Sequence, residues 1–495
     1  MGKILIGWAE ESIVPEKKVN LAGQFFERIS EHVESEITTT VMAVEADGDC
    51  MIIASIDVID ISDEAVAIVR EKVKKLTNKI DVSKILVNAT HTHTSVRLGS
   101  KTPSKYPLRQ ILYKFLPQEK KVYKPLVTLD DSVISDIEAL EFVTDKVALA
   151  ITRAWDARCE ALYTNEFGRA AVGMCRRAIY NDGSGEMWGD TNTATFVALE
   201  GGNDSGIELL YTFDKNRKLT GVVANIACPA QILEQRSFIS ADFWGRAKAI
   251  VREKLGSDVY LLALCGAAGD QCPRDLVRWV QPETPIDDPN VHRPNPLPRK
   301  ADPSMYDISG CNRAGKRIAN EIVSVFEEIT ELKDEAVLEH RTFTLNLPLR
   351  KVSKEDYNHA VRELEHYAGM KSEGECTFED TARMYVHTGT ITRFMRQQEE
   401  EILPIETHII RFGDISISTN PFELFLDYAN VIKARAKSEQ AFIIQLCCGA
   451  HGYLPTEKAE KAGHYSAYVS SGEVGHEGGD LLVRETITNI NDMFK

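Results

Sequence analysis

Over the first ninety positions, apolar side chains come in short runs rich in β-branched types, at 4–7, 38–45 and 50–58, parted by turn residues such as Asp47-Gly48-Asp49. These runs predict the strands of a sheet. From 62 to 76 the spacing changes to Val66, Ile68, Val69 and Val73 with charges between them, the repeat of an amphipathic helix. Ile85-Leu-Val follows as a strand, so the order is strand, helix, strand. The pattern returns as a strand at 219–227, a helix at 240–255 with Ser240 as candidate N-cap, and a strand at 259–264. Further helices are expected at 313–328 and 356–370, a strand pair at 409–418 and a buried strand at 441–446. The fold class expected is α/β, with mixed multi-stranded sheets layered with helices.

One stretch breaks the alternation. Residues 273–308 include "VQPETPIDDPNVHRPNPLPRKADP", whose closely spaced prolines exclude helix and central strand alike. It starts directly after the Gly-rich turn "CGAAGDQCP", so the expectation is a lid or wall over a site.

Composition narrows the function. With 43% hydrophobic and 27% charged residues the chain is an ordinary globular protein, and its 495 residues suffice for a large core. A formal charge of −16 disfavours nucleic acid or an anionic membrane surface as partner, leaving a small-molecule substrate as the expected one. Glu10 and Glu11 precede any apolar run of signal-peptide length, and no later run approaches the roughly 18 residues of a membrane span. Ten cysteines are too sparse for a disulfide scaffold and fit a reducing compartment, so a cytoplasmic protein is expected.

Candidate chemistry begins at "NATHTHTS", residues 88–95. At the end of a strand, positions two apart share a face, so His91 and His93 project together. Such a pair holds a metal, or divides metal binding and proton handling between its members, or is merely hydrogen-bonded at the strand end. Four more stretches begin where an apolar strand runs into small residues or proline: "ANIACPAQ" (224–231), "CGAAGDQCPRD" (265–275), "STNPFELF" (418–425) and "CCGAHGYLPTEKAEKAGHY" (447–465). Strand ends of this kind are where α/β sheets place their ligands.

In this order, the five stretches resemble the catalytic domain of the neutral/alkaline ceramidase family, zinc-dependent amidases that cleave an N-acyl bond. "NATHTHTS" is similar to the family's "SATHTHSG", which implies that His91 binds zinc and that His93 lies beside the reacting carbonyl. The family's second zinc histidine falls on Cys228, with Ile239, Ser240 and Asp242 at the matching distance beyond it. A thiolate there remains a competent zinc ligand but alters the charge of the site. Pro421-Phe422-Glu423 resembles the family's Pro-Gly-Glu, and Gly452-Tyr453-Leu454-Pro455-Thr456 its Gly-Tyr-Val-Thr-Thr. The implied zinc ligands are therefore His91, Cys228, Glu423 and Tyr453. The resemblance further implies catalytic places for His93, for Tyr465, for Arg176 (or its neighbour Arg177), and for Cys272, which stands where the family has a serine.

What the resemblance implies is a single catalytic domain over 1–495, without the immunoglobulin-like domain the family often adds. Its activity would be zinc-dependent hydrolysis of an amide or ester. Ceramide fits the acidic chain poorly. Arg274, Arg278, Trp279, His292, Arg293 and Arg299 in and before the proline-rich stretch suit a small polar, sugar-like substrate better than an acyl chain. Two alternatives stay open: a metal-containing binding protein that no longer hydrolyses, and a thiol enzyme that works through Cys272.

Overall fold

The computed structural model describes residues 2–24, 28–106, 131–278, 307–370 and 378–495, with isolated positions at 108, 111 and 114. It is a mixed α/β fold. Across the larger, eight-stranded sheet the order is Tyr260–Cys265, Leu219–Ile226, Gly206–Asp214, Cys159–Arg169, Leu5–Ser12, Thr38–Ala46, Asp49–Ile56 and Ile85–Ala89. The middle of the sheet is antiparallel and both edges end in a parallel pair. Thr38–Ala46 is buried along nearly its whole length, as expected of a strand whose sheet is covered on both faces.

A second, four-stranded sheet runs Leu338–Pro348, Ile402–Phe412, Ile415–Thr419, Gln440–Ile444, the last two parallel. Its residues Phe412, Ile415, Ile417 and Phe442 join the core of the first sheet, and the Asn225 amide bonds to Ile443 O at 3.1 Å across the interface. Helices Asp63–Leu76 and Asp136–Asp156 cover one half of the first sheet, Asp242–Leu255 and Ile308–Glu328 the other, and Leu426–Arg435 and His476–Met493 cover the second sheet. Both strand–helix–strand units expected from the periodicity are present. A third, Ile415–Thr419, Leu426–Arg435 and Gln440–Ile444, completes the set, since parallel pairing demands a crossover and each crossover carries a helix.

Local chemistry explains the helix starts. Ser62 caps Asp63–Leu76, accepting from Ala65 N at 3.2 Å, with Asp63 and Glu64 in the first turn and Lys74 and Lys75 in the last. Ser240 is not the N-cap of its helix, which spans Asp242–Leu255 with Ala241 at the cap. Its hydroxyl is engaged with Ser35 and Glu34, and accepts from Asp242 N at 3.0 Å, so it ties the helix start to a neighbouring loop instead. Helices Asp136–Asp156 and His476–Met493 and strands Cys159–Arg169, Gly206–Asp214 and Leu338–Pro348 go beyond the elements the periodicity singled out. Cys159–Arg169 and Leu338–Pro348 are only partly buried and carry polar residues on both faces, which hides them from an apolar-run criterion.

Of the expected lid at 273–308, residues 279–306 lie outside the described residues, and with them Trp279, His292, Arg293 and Arg299. Arg274 is buried, and Arg278 is exposed and pairs with Asp275 at 3.3 Å. Among the described residues no helix is long and apolar enough to cross a membrane.

Candidate active site

The three parallel pairs point their carboxyl ends into one region, where strand termini leave backbone and side chains free to face a ligand. Ile85–Ala89 leads to His91 and His93, Leu219–Ile226 to Cys228, and Tyr260–Cys265 to the 266–272 turn. Ile415–Thr419 leads to Glu423, Gln440–Ile444 to Tyr453, and Asp49–Ile56 to Ile59 and Asp60. Glu423 and Tyr453 are locked opposite one another by a two-residue parallel ladder. Gly269 permits the close approach that seats Glu423, since a Cβ there would lie 2.3 Å from Glu423 O.

His91 sits in the left-handed region at φ 61°, a strained conformation for a side-chain-bearing residue and typical of functional sites. Its Nδ1 lies 2.7 Å from Ile59 O, and His93 Nδ1 lies 3.0 Å from Gly23 O. A carbonyl only accepts, so both rings carry a proton on Nδ1 and turn Nε2 toward the site. Those two Nε2 atoms face each other at 3.4 Å, and Glu423 Oε2 lies 3.4 Å from His91 Nε2. A carboxylate beside His91 Nε2 in a buried place calls for positive charge there, from a metal ion or from a proton on Nε2. Burial alone would lower the pKa of His91, yet Glu423 outweighs it and raises it; burial and the neighbouring His91 push His93 well below its ordinary value. The demand for positive charge is therefore centred on His91.

Arg176 is buried and donates to Gly269 O at 2.9 Å and Tyr453 OH at 3.3 Å, with Glu423 at 3.9 Å. Gln231 accepts from Arg176 at 3.3 Å and donates to Glu234 at 2.9 Å, and Glu234 lies 3.4 Å from His93 Nδ1. Tyr465 meets Tyr453 edge to face, ring centroids 5.5 Å apart. Arg177 faces elsewhere: it pairs with Glu200 at 2.9 Å and bonds to Gly463 O and Tyr465 O, holding the turn that presents Tyr465. His91, His93, Glu423, Tyr453 and Tyr465 share the wall of a cavity of about 320 Å³ with Leu21, Ala22, Gly23, Gln24, Ile59, Asp60, Val96, Arg97 and Leu98.

The two cysteines sit behind this group. Cys228 is fully buried, its thiol within 3.6 Å of Pro229 O, and burial pushes its pKa well up. Among the described residues, the set of His, Cys, Asp and Glu ligand atoms lying within 4.8 Å of one another is Glu406, His408 and Cys448, and Cys228 does not join His91 and Glu423 at that spacing. Burial likewise pushes Cys272 up to about 12, against the favourable charge of Arg176.

Asp60, Gln231, Glu234 and the carbonyls of Gly23 and Ile59 were not singled out by the sequence. Asp60 had a readable signal, an acid just past the 50–58 strand; the carbonyls had none, because any residue supplies one.

No protein-family model matches the chain, and no curated protein matches it. Among solved structures, the crystal structure of neutral ceramidase from Pseudomonas aeruginosa superposes with a TM-score of 0.67 at 13% identity, over 100% of this chain and 75% of that one. The fold is that of the neutral ceramidases. A ceramidase complexed with C2 gives a TM-score of 0.64 at 12% identity, over 100% of this chain and 76% of that one. Identities this low show a shared ceramidase fold and nothing about chemistry.

Proposed function

We propose that the chain is a metal-dependent hydrolase of ceramidase type that cleaves an amide or ester bond in a small, polar, sugar-like substrate in the cytoplasm. The observation that carries this reading is the buried His91 Nε2, which lies 3.4 Å from His93 Nε2 on one side and 3.4 Å from Glu423 Oε2 on the other. His91, Glu423 and Tyr453 would hold the ion, and a donor set of imidazole, carboxylate and phenol oxygen suits zinc. Once bound, it would supply Lewis-acid polarisation of the scissile carbonyl and acidify water near neutral pH. Cys228, whose thiol faces Pro229 O and does not share the spacing of His91 and Glu423, is left out of the donor set.

The remaining work falls to this chain's own groups. His93, neutral and unprotonated at Nε2, is the base that takes the proton of the attacking water, held in orientation by Gly23 O. Arg176 and the Tyr465 hydroxyl would stabilise the negative charge that grows on the carbonyl oxygen. A thiol route through Cys272 is disfavoured by the burial that keeps that sulfur protonated. The mixed lining of Gln24, Asp60 and Arg97 beside Leu21, Val96 and Leu98 supports a polar substrate over a two-chain lipid.

The test is a hydrolysis screen of N-acyl sugars, sugar esters and lactones beside detergent-dispersed ceramide, with and without chelator. Turnover of soluble substrates that disappears on chelation and in Glu423→Ala is the expected result. Turnover of ceramide alone overturns the substrate class, and full activity of demetallated protein overturns the mechanism.

A further inference from the structure

A second cluster of metal-competent side chains lies outside this site, under the strands that carry it. Glu406 and His408 alternate on one face of Ile402–Phe412, and Cys448 comes from the turn after Gln440–Ile444. Their ligand atoms all lie within 4.8 Å of one another: Glu406 Oε1 is 2.7 Å and Cys448 Sγ 3.8 Å from His408 Nε2. His408 and Cys448 are buried, and Cys447 Sγ is 4.0 Å from Cys448 Sγ.

The proton positions are dictated by a chain of contacts. His340 Nδ1 faces Cys50 O at 3.0 Å and must carry a proton, which leaves His340 Nε2 as an acceptor. His408 Nδ1, 2.8 Å from that atom and 3.2 Å from the Thr342 hydroxyl, is then the donor. His408 Nε2 therefore faces a carboxylate oxygen 2.7 Å away and a sulfur 3.8 Å away, a pair of acidic donors that calls for positive charge at that point, from a metal ion or from a proton on Nε2. An imidazole whose Nδ1–H is held by a second group while Nε2 faces acidic donors is the usual setting of a metal-ligating histidine.

We propose that Glu406, His408 and Cys448 bind a second divalent ion of the zinc class, with Cys447 the nearest further donor. Nitrogen, oxygen and sulfur donors that leave no room for substrate describe a closed, structural site. Arg70 fits as its outer support. It bonds both oxygens of Glu406, at 2.7 and 2.5 Å, and lies 3.8 Å from Cys448 Sγ. Ligating carboxylates are themselves hydrogen-bonded, and the guanidinium supplies that bond to Glu406 while the ion would face one carboxylate and the Cys448 thiolate. The site would pin the turn at 446–448, where Leu446 and Cys448 hold φ of 49° and 55°. That turn bonds to Val87 O, Asn420 O and Phe422 O, beside both ligand-bearing segments of the first site.

Cobalt exchange tests this independently of hydrolysis, because only a sulfur ligand yields a thiolate-to-cobalt charge-transfer band. Wild-type protein should hold about two ions per chain and show the band. His91→Ala with Glu423→Ala should keep the band and lose about one ion, and Cys228→Ser should leave both unchanged. Cys448→Ser should abolish the band, as should the isosteric Glu406→Gln at equal cobalt if Cys448→Ser folds poorly. Absence of the band in wild-type protein, or its loss in Cys228→Ser with retention in Cys448→Ser, overturns the proposal and leaves His408 a protonated partner of Glu406 and Cys448.

Discussion

At the residue scale the two histidines divide the work by their hydrogen bonds. His91 turns Nε2 toward Glu423, which favours positive charge there, while His93 is kept neutral by burial and by His91. His93→Ala is expected to retain the metal and lose about 10²- to 10³-fold in kcat, the usual cost of one group acting at the reacting centre, as read by steady-state kinetics beside metal content. Cys272→Ala should change kcat/KM by less than about threefold, since a thiol pushed up to about 12 is not a nucleophile at neutral pH; a loss of the order of a thousandfold would restore the thiol mechanism.

Elements set the precision with which those residues meet. Gly269 approaches the Glu423 backbone so closely that Gly269→Ala has to displace the Glu423–Leu424 segment. Metal affinity should fall by about 10- to 100-fold, measured by competition with a chelator, while far-ultraviolet dichroism stays unchanged. The Ser62 cap works on stability instead. Ser62→Ala removes the acceptor for Ala65 N and should cost about 1 kcal/mol in urea unfolding, with no effect on kcat.

Over the whole molecule, acid stability depends on a charged knot between the Phe378–Arg396 helix and the chain around Glu473. Burial alone would raise the Glu473 carboxyl, but the hydrogen bond from His451 and the charges of Arg393 and Arg396 hold it at about 2. Arg396 Nη1 lies 2.8 Å from it and His451 Nδ1 3.6 Å. A depressed carboxyl contributes stability that is fully present above the ordinary value of 4.5 and is lost as pH falls through about 2. Unfolding free energy should therefore drop by on the order of 3 kcal/mol between pH 5 and pH 2 from this group, and Glu473→Gln should flatten that part of the profile.

The sequence by itself determined what is local. Apolar periodicity located two of the three strand–helix–strand units to within a few residues, because a period of two or of 3.6 is written directly into which side chains are apolar. Alternation along Ile402–Phe412 likewise puts Glu406 and His408 on one face, whereas His91 and His93 meet beyond the strand end at Ala89, with His91 in the left-handed region, so strand alternation does not account for their pairing. Only the tertiary structure decided what those faces meet. Glu423 comes to His91 from 332 residues along the chain through a parallel crossover, and Cys448 comes to His408 through a left-handed turn, neither of which any spacing encodes. The same holds for protons and charge: whether Cys228 and Cys272 are ligands, nucleophiles or inert thiols depends on burial and on the nearest carbonyl, and these exist only once distant strands have packed.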